Sequence, residues 1–284
     1  MCRRLFIFMK IQPQEPCSEP PSKRGVGWVD RLKDADQWWL LVLAVIGLIW
    51  LLITIKSNPY RRILLFVQDG IWVTIYTTMV SFILVLVLGL FGGLGRVSRL
   101  PLIRGAASVY VEVVRGIPLL VQLIIWYFAF PSLIQELGRN WNITAFATYK
   151  ANPLFMAILG LTVCYAAYMS EVYRAGIESI PKGQMEAARS LGMNYVQAMI
   201  YVILPQAVRT ILPPVGNEFV TLLKDSSLVS VVAVADMTRR GREFMAANFI
   251  PVQTWLMVAL MYLVMTLIAA RAVRWLEKIS CYER

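Results

Sequence analysis

Histidine is missing altogether from the 284 residues, and with it the commonest general base and metal ligand of proteins, so no metal site is expected. No GxxxxGK[ST] string occurs; the chain cannot cradle ATP in the P-loop manner, and any nucleotide has to be held by a partner. Cysteine is scarce. Cys2, Cys17, Cys164 and Cys281 show no CxxC spacing and no pattern of oxidised pairs, and are expected to be inert thiols. No nucleophile is assembled with a base, which argues against an intramembrane enzyme. Charge is thin at 16% of residues, and the net charge of +11 comes without a regular alternation of basic and aromatic residues, which argues against nucleic acid as a partner. A cleavable signal is not expected either: the residues before Asp36 are charged and proline-rich, and the first apolar run is long and uninterrupted.

What is abundant is apolar surface, 58% of the chain. A bilayer core is crossed by about 20 apolar residues rising ~1.5 Å each. Runs of that kind are Trp38 to Ile55, Gly70 to Gly95, Gly116 to Phe130 (ending at Pro131), Pro153 to Met169 and Val252 to Ala270. Val208 to Ala235 adds a crossing that is polar in the middle. The expectation is an all-α integral membrane protein with six crossings. With the N-terminus inside, the cytosolic side receives the basic residues before Trp38, Arg96, Arg99, Arg104, Arg174, Lys182, Arg189, Arg209, Arg271, Arg274, Lys278 and Arg284. The outer side receives only Lys56, Arg61, Arg62, Arg139, Lys150, Arg239, Arg240 and Arg242. That excess favours both termini in the cytosol.

Between the fourth and fifth crossings the chain stays polar from Glu171 to Arg189. Gly183 can start a helix in which Met185, Ala188 and Leu191 recur at helical spacing as an apolar docking stripe. Gly192 stands where a helix end needs positive φ. Asn194 is a good N-cap for a second helix, expected to stop at Pro205. The pattern reads either as a rigid knob that docks another protein or as an amphipathic loop lying on lipid headgroups.

Val208 to Leu223 does not read as a lipid-facing helix. Its apolar residues return about 0.3–0.6 kcal/mol each on insertion, whereas a central charge costs about 2.5–3.5 kcal/mol. Asn217 and Glu218 lie ~15 Å from the inner surface near Ala207, close to the midplane. Asn217, Thr221 and Lys224 share one face beside Glu218 and are candidates to line a passage; the alternative is that they bond neighbouring helices. Lys224 to Ser227 are expected near the outer surface, as a gate or a break. Glu112 and Arg115 are expected to pair near the inner end of the third crossing, before a bend at Gly116 and Pro118. Tyr165 and Tyr168 are candidates to face the path or to anchor the interface.

Glu186 to Gly192, EAARSLG, followed by VILPQAVR, resembles the coupling loop of bacterial ABC importer permeases: EAA, three residues, Gly, nine residues, I-x-L-P. Glu186, Ala187, Ala188, Gly192, Leu204 and Pro205 match, with Val202 in place of the usual isoleucine. YVEVVRGIPLLVQL (110–123), AAYMSEVYRAGIESIPKGQMEAARSLGM (166–193) and NEFVTLLKDSSLVSVVAVADM (217–237) are similar to permeases of the polar amino-acid uptake group, which handle histidine, arginine, glutamate, glutamine and opines. The resemblance runs from Gly70 to the C-terminus. It implies a five-helix type I permease core over 70–284 with a cytosolic coupling loop at 171–206. Ahead of the core would lie a basic cytosolic segment (1–37), an added transmembrane helix (38–55) and an external linker (56–69). It further implies a bacterial inner membrane location and a non-catalytic chain without a cofactor. Its partners would be a cytosolic ATPase, which binds ATP and Mg and in a cleft of which Glu186 to Gly192 would sit, a second permease chain, an external solute-binding protein, and membrane lipid. A competing reading, an ion-coupled carrier or channel using Glu218, Lys224 and Asp225, is disfavoured by the lack of an inverted repeat.

Overall fold

The computed structural model describes residues 37–282, helical apart from short connections, with no strand among them. The basic segment before Gln37, with Cys2 and Cys17, lies outside the described residues. Among the described residues, besides the single turn Thr144–Ala147, nine helices carry the fold: α1 (Gln37–Ile55), α2 (Ser57–Val97), α3 (Pro101–Gly116), α4 (Leu119–Asn140), α5 (Pro153–Glu178), α6 (Lys182–Ser190), α7 (Tyr195–Val232, closing in a 3₁₀ segment Ser226–Val232), α8 (Met237–Asn248) and α9 (Pro251–Tyr282). Five of them, α2, α4, α5, α7 and α9, are long and apolar enough to cross a membrane, and α1 adds a shorter apolar helix.

Helix boundaries depart from the sequence pattern where tertiary contacts override it. α2 begins at Ser57 rather than Gly70, so most of 56–69, expected as an external linker, is helical. Tyr60, Ile63 and Val67 recur at helical spacing and pack with Met237, Phe244, Met257 and Met261, which makes the extra turns worth ordering.

Pro131 and Pro205 were both expected to end helices, and neither does. A π-helical turn, Ile125–Ala129 in one case and Met199–Ile203 in the other, precedes each proline at the same distance. Proline lacks an N–H and its ring clashes with the carbonyl of the preceding turn. A π-turn redirects the carbonyls just before such a site, so the helix continues.

α2 and α5 run parallel at close range. Gly89 faces Met169, Gly92 faces Ser170, and Gly93 faces Tyr173, so contacts advance in step along both chains. Thr74, Thr77, Thr78, Ser81 and Val85 extend this buried line of small residues. α7 returns antiparallel to α5: Gly176 meets Ile211 at one end, and Tyr165 meets Asp225 farther along. α9 packs on α7 where Gly216 meets Val273, while α1 leans on α9 and α2.

Charges concentrate at the bundle ends. At the end shared by α2 and α5, Glu171 accepts from Arg96 and Arg174, and Arg174 also pairs with Glu178. At the opposite end, the wholly buried Asp236 caps α8 through the N–H groups of Thr238 and Arg239, at 3.1 and 3.0 Å.

Candidate functional site

The polar segment after α5 folds as a rigid knob. α6 ends at Ser190 in a Schellman arrangement: Met193 N–H donates to the Ala188 carbonyl at 3.2 Å and Gly192 N–H to the Arg189 carbonyl at 3.0 Å. Gly192 has φ of 88°, as its position in the sequence required. Asn194 opens α7 with a full capping box: its side chain accepts from Gln197 N–H at 2.9 Å, and Gln197 Oε1 accepts from Asn194 N–H at 3.0 Å. Two helix ends are thereby satisfied back to back within a short turn.

The apolar stripe expected on α6 divides. Ala188 is buried, turned into the chain's own fold, and Met185 is half-buried, while Leu191 is 82% exposed. Glu186, Ala187, Gly192, Leu204 and Pro205 are exposed. The exposed ridge continues on α7 through Val196, Ile200 and Tyr201. The sequence pattern did not point to these, because the docking stripe was sought on the first helix alone.

Farther into the bundle a polar pocket of about 200 Å³ is lined by Leu119, Cys164, Tyr165, Tyr168, Glu218, Thr221 and Asp225. α5 supplies the Cys164–Tyr168 wall near its own midpoint, α7 supplies the two carboxylates, and the start of α4 supplies Leu119. Tyr165 donates its hydroxyl to Asp225 Oδ2 at 2.7 Å, and the Tyr165 and Tyr168 rings lie 6.0 Å apart. The Arg115 guanidinium lies over the Tyr168 ring, 5.0 Å from its centroid. Two carboxylates with a cation at the margin can hold a zwitterion: an ammonium against Glu218 or Asp225 and a carboxylate toward Arg115.

Of the residues expected on the passage, Glu218, Thr221, Tyr165 and Tyr168 come together here. Asn217 and Lys224 share the exposed face of α7 with Thr221 but do not line the pocket. Asp225, expected near the outer surface, sits level with the middle of α5, because the 3₁₀ segment Ser226–Val232 carries the chain on through the core rather than out of it. Glu112 and Arg115 are not on the third crossing but on α3, a separate half-helix that stops at Gly116. Among the described residues no ion pair joins them: both are exposed, and Arg115 turns to the Tyr168 ring instead.

The break between α3 and α4 is bridged by Gln122, which lies in the 110–123 string but was not singled out as a site residue. Gln122 Nε2 donates to the Val114 carbonyl at 2.8 Å and the Ile117 carbonyl at 2.9 Å, beside Cys164 Sγ at 3.4 Å. Pro118 has no N–H to offer the last turn of α3, and Gln122 supplies donors in its place.

Comparison with known proteins adds to this geometry. Residues 85–278 match the family described as binding-protein-dependent transport system inner membrane component. The chain is 35% identical over 256 residues to the arginine transport system permease protein ArgU of Corynebacterium glutamicum, covering 87% of this chain and 81% of that one. It is 36% identical over 219 residues to the probable glutamine ABC transporter permease protein GlnP of Bacillus subtilis (75% and 93% covered). Over 220 residues it is 37% identical to the L-cystine transport system permease protein TcyB of the same organism (74% and 88%). Among solved structures, a chain of an amino acid ABC transporter with histidines superposes with a TM-score of 0.68 at 34% identity, covering 80% of this chain and 97% of that one. A chain of the MetNI methionine ABC transporter in an inward-facing conformation shares the fold, with a TM-score of 0.63 at 22% identity and coverage of 79% and 99%.

Proposed function

Because the chain belongs to the family of binding-protein-dependent transport system inner membrane components, we propose that it is the permease subunit of an ATP-driven importer of polar amino acids. The knob at 171–206 docks a cytosolic ATPase, and the pocket between α4, α5 and α7 forms part of the translocation path. The observation that carries the reading is the placement of Glu218 and Asp225 in one pocket at the half-height of α5. An ionised side chain at bilayer depth costs about 2.5–3.5 kcal/mol by insertion scales, so it is retained where it meets a polar solute or water. Relatives named for arginine, glutamine and cystine support an amino-acid cargo.

The division of labour follows from the chain's chemistry. ATP and magnesium belong to the partner ATPase, and this subunit is non-catalytic and carries no cofactor. Glu186, Ala187, Gly192, Leu204 and Pro205 meet the ATPase directly, while Ala188, buried, sets the spacing of α6 against the base of the knob. The exposed face of Asn217, Thr221 and Lys224 is too polar for lipid and is covered by a second permease chain. An external solute-binding protein delivers the cargo at the opposite face, and lipid surrounds the apolar exterior. Both termini lie in the cytosol of a bacterial cell.

Two measurements test this. The tagged chain, purified from its host in mild detergent, should bring ATPase activity with it, and Gly192→Asp should lose that activity. Glu218→Gln should change the affinity or selectivity of amino-acid uptake, and an unchanged affinity and selectivity would sink the lining role of α7. A pure chain that moves amino acids in vesicles without any ATPase would overturn the reading in favour of an ion-coupled carrier.

A further inference from the structure

α7 has an apolar groove on the side turned away from its polar face. One cavity of about 230 Å³ lies between α2, α7 and α9, against Ile75, Leu223 and Met265. A second, of about 350 Å³, continues it toward the knob end of the bundle, past Phe82 and Leu212 to Leu276 and Glu277. Met79 and Phe219 line both, so the two form one groove. Its floor is protein: a Cβ on Gly216 of α7 would meet Val273 Cγ1 of α9 at 2.1 Å, and the Phe82 and Phe219 rings, 4.9 Å apart, join α2 to α7. Its open side is the exterior of the bundle, where Met79, Ile268 and Leu276 are exposed.

Chemistry, length and charge together name the occupant. Only two polar side chains line the groove, Thr78, whose hydroxyl is already given to the Thr74 carbonyl at 2.8 Å, and Glu277. Walls of that kind gain dispersion contacts from a hydrocarbon guest and offer water no partners. From Glu277 to Met265, α9 rises ~18 Å at ~1.5 Å per residue, close to the ~15 Å depth of one leaflet of a ~30 Å core. Charge is confined to the mouth: Glu277 lines it, and the exposed Arg209 stands one turn beyond Leu212 on the same face of α7. Asn217, Thr221 and Lys224, the face of α7 suited to water or another protein, lie on the far side of that helix.

We propose that the groove binds one phospholipid with a primary amine in its headgroup, of the phosphatidylethanolamine class. Its acyl chain lies along α9 from Leu276 to Met265, its ammonium meets Glu277, and its phosphate lies on the side of Arg209. A carboxylate accepts from the N–H donors of a primary ammonium; the quaternary ammonium of phosphatidylcholine has none to give, and phosphatidylglycerol brings no cation at all. The lipid fills space that side chains leave between α2, α7 and α9, and so ties the three helices together. The site is separate from the polar pocket, which Glu218, Thr221 and Asp225 line from another flank of α7.

The experiment is native mass spectrometry of the tagged chain, with the partners it retains, released from nanodiscs of phosphatidylethanolamine, phosphatidylglycerol and phosphatidylcholine in equal parts. Bound lipids and the number of permease chains are read in the same spectrum. Wild type should retain one phospholipid per permease chain, phosphatidylethanolamine in preference to both others. Ala272→Trp puts an indole into the groove from an exposed position and should lose that lipid; Leu84→Trp, exposed on α2 and lining neither cavity, should keep it. Glu277→Gln should reduce the preference for phosphatidylethanolamine over phosphatidylglycerol about tenfold, the worth of one charge-assisted hydrogen bond. Equal retention of the three lipids by wild type, an unchanged preference in Glu277→Gln, or the same loss in Leu84→Trp as in Ala272→Trp overturns the proposal. So does loss of a second permease chain in Ala272→Trp, which assigns the groove to a contact between chains. The readout needs neither ATP nor cargo, so its failure is distinct from failure of the transport reading.

Discussion

Tyr165 donates its hydroxyl to Asp225 across 2.7 Å and ties the midpoint of α5 to the end of the regular part of α7. The bond closes one wall of the pocket and presents a carboxylate to its interior. Tyr165→Phe removes the donor and should destabilise the protein by about 1–3 kcal/mol, read as a lower thermal midpoint in detergent. Asp225→Asn keeps an acceptor for the tyrosine but removes the charge. Its thermal midpoint should stay close to wild type while uptake of cargo falls, a split that a purely structural bond would not give.

Gly192 isolates backbone conformation from packing. A side chain there would meet nothing within 4 Å, yet φ is 88°. Gly192→Ala should therefore cost about 1 kcal/mol through strain alone. The fraction of chain retaining its ATPase should fall several-fold at limiting ATPase, and Gly192→Asn, better tolerated at positive φ, should fall less.

Gly93 and Gly105 should respond oppositely to alanine. A Cβ at Gly93 would come within 2.7 Å of Tyr173 Cβ and 3.0 Å of the Ser170 carbonyl oxygen, forcing α2 off α5 at a cost of about 1–3 kcal/mol. Gly105, on α3, has open space around the same position, and Gly105→Ala should be neutral or stabilising by up to about 1 kcal/mol. Thermal unfolding of the two variants side by side checks both signs.

Gln122→Leu keeps the bulk of a buried side chain and deletes both donors at the α3–α4 break. Losing these bonds to Val114 and Ile117 should cost about 1–3 kcal/mol. Gln122→Asn is too short to reach both carbonyls and should recover only part of the loss, as measured by thermal unfolding.

Glu243 on α8 accepts from Arg239 Nε and Arg240 Nη1, each at 3.0 Å, and these guanidinium bonds hold its carboxyl below the ordinary value of 4.5. A depressed carboxylate contributes stability that is fully present above 4.5 and lost as the pH falls through its lowered value. The difference in thermal midpoint between wild type and Glu243→Gln should therefore close on acidification below 4.5. A constant difference would show that the pair contributes nothing through its charge.

The sequence by itself determined the helical class, the apolar crossings and the two helix ends of the knob. Each of these rests on local physics: hydrophobic run length, the positive φ open to Gly192, and the side-chain oxygen of Asn194 within reach of its own helix. It also singled out Glu218, Thr221, Tyr165 and Tyr168, since polar groups in apolar runs stand out wherever the chain takes them. Tertiary structure alone decided the rest. Only packing against Met237, Phe244 and Met257 could start α2 at Ser57, and only helix context could let a π-turn carry the chain through Pro131 and Pro205. Asp225 entered the pocket and Arg115 left Glu112 for Tyr168 for the same physical reason. Where a side chain goes depends on which helix lies opposite at that height, and neighbours brought together from distant parts of the chain leave no mark in local spacing.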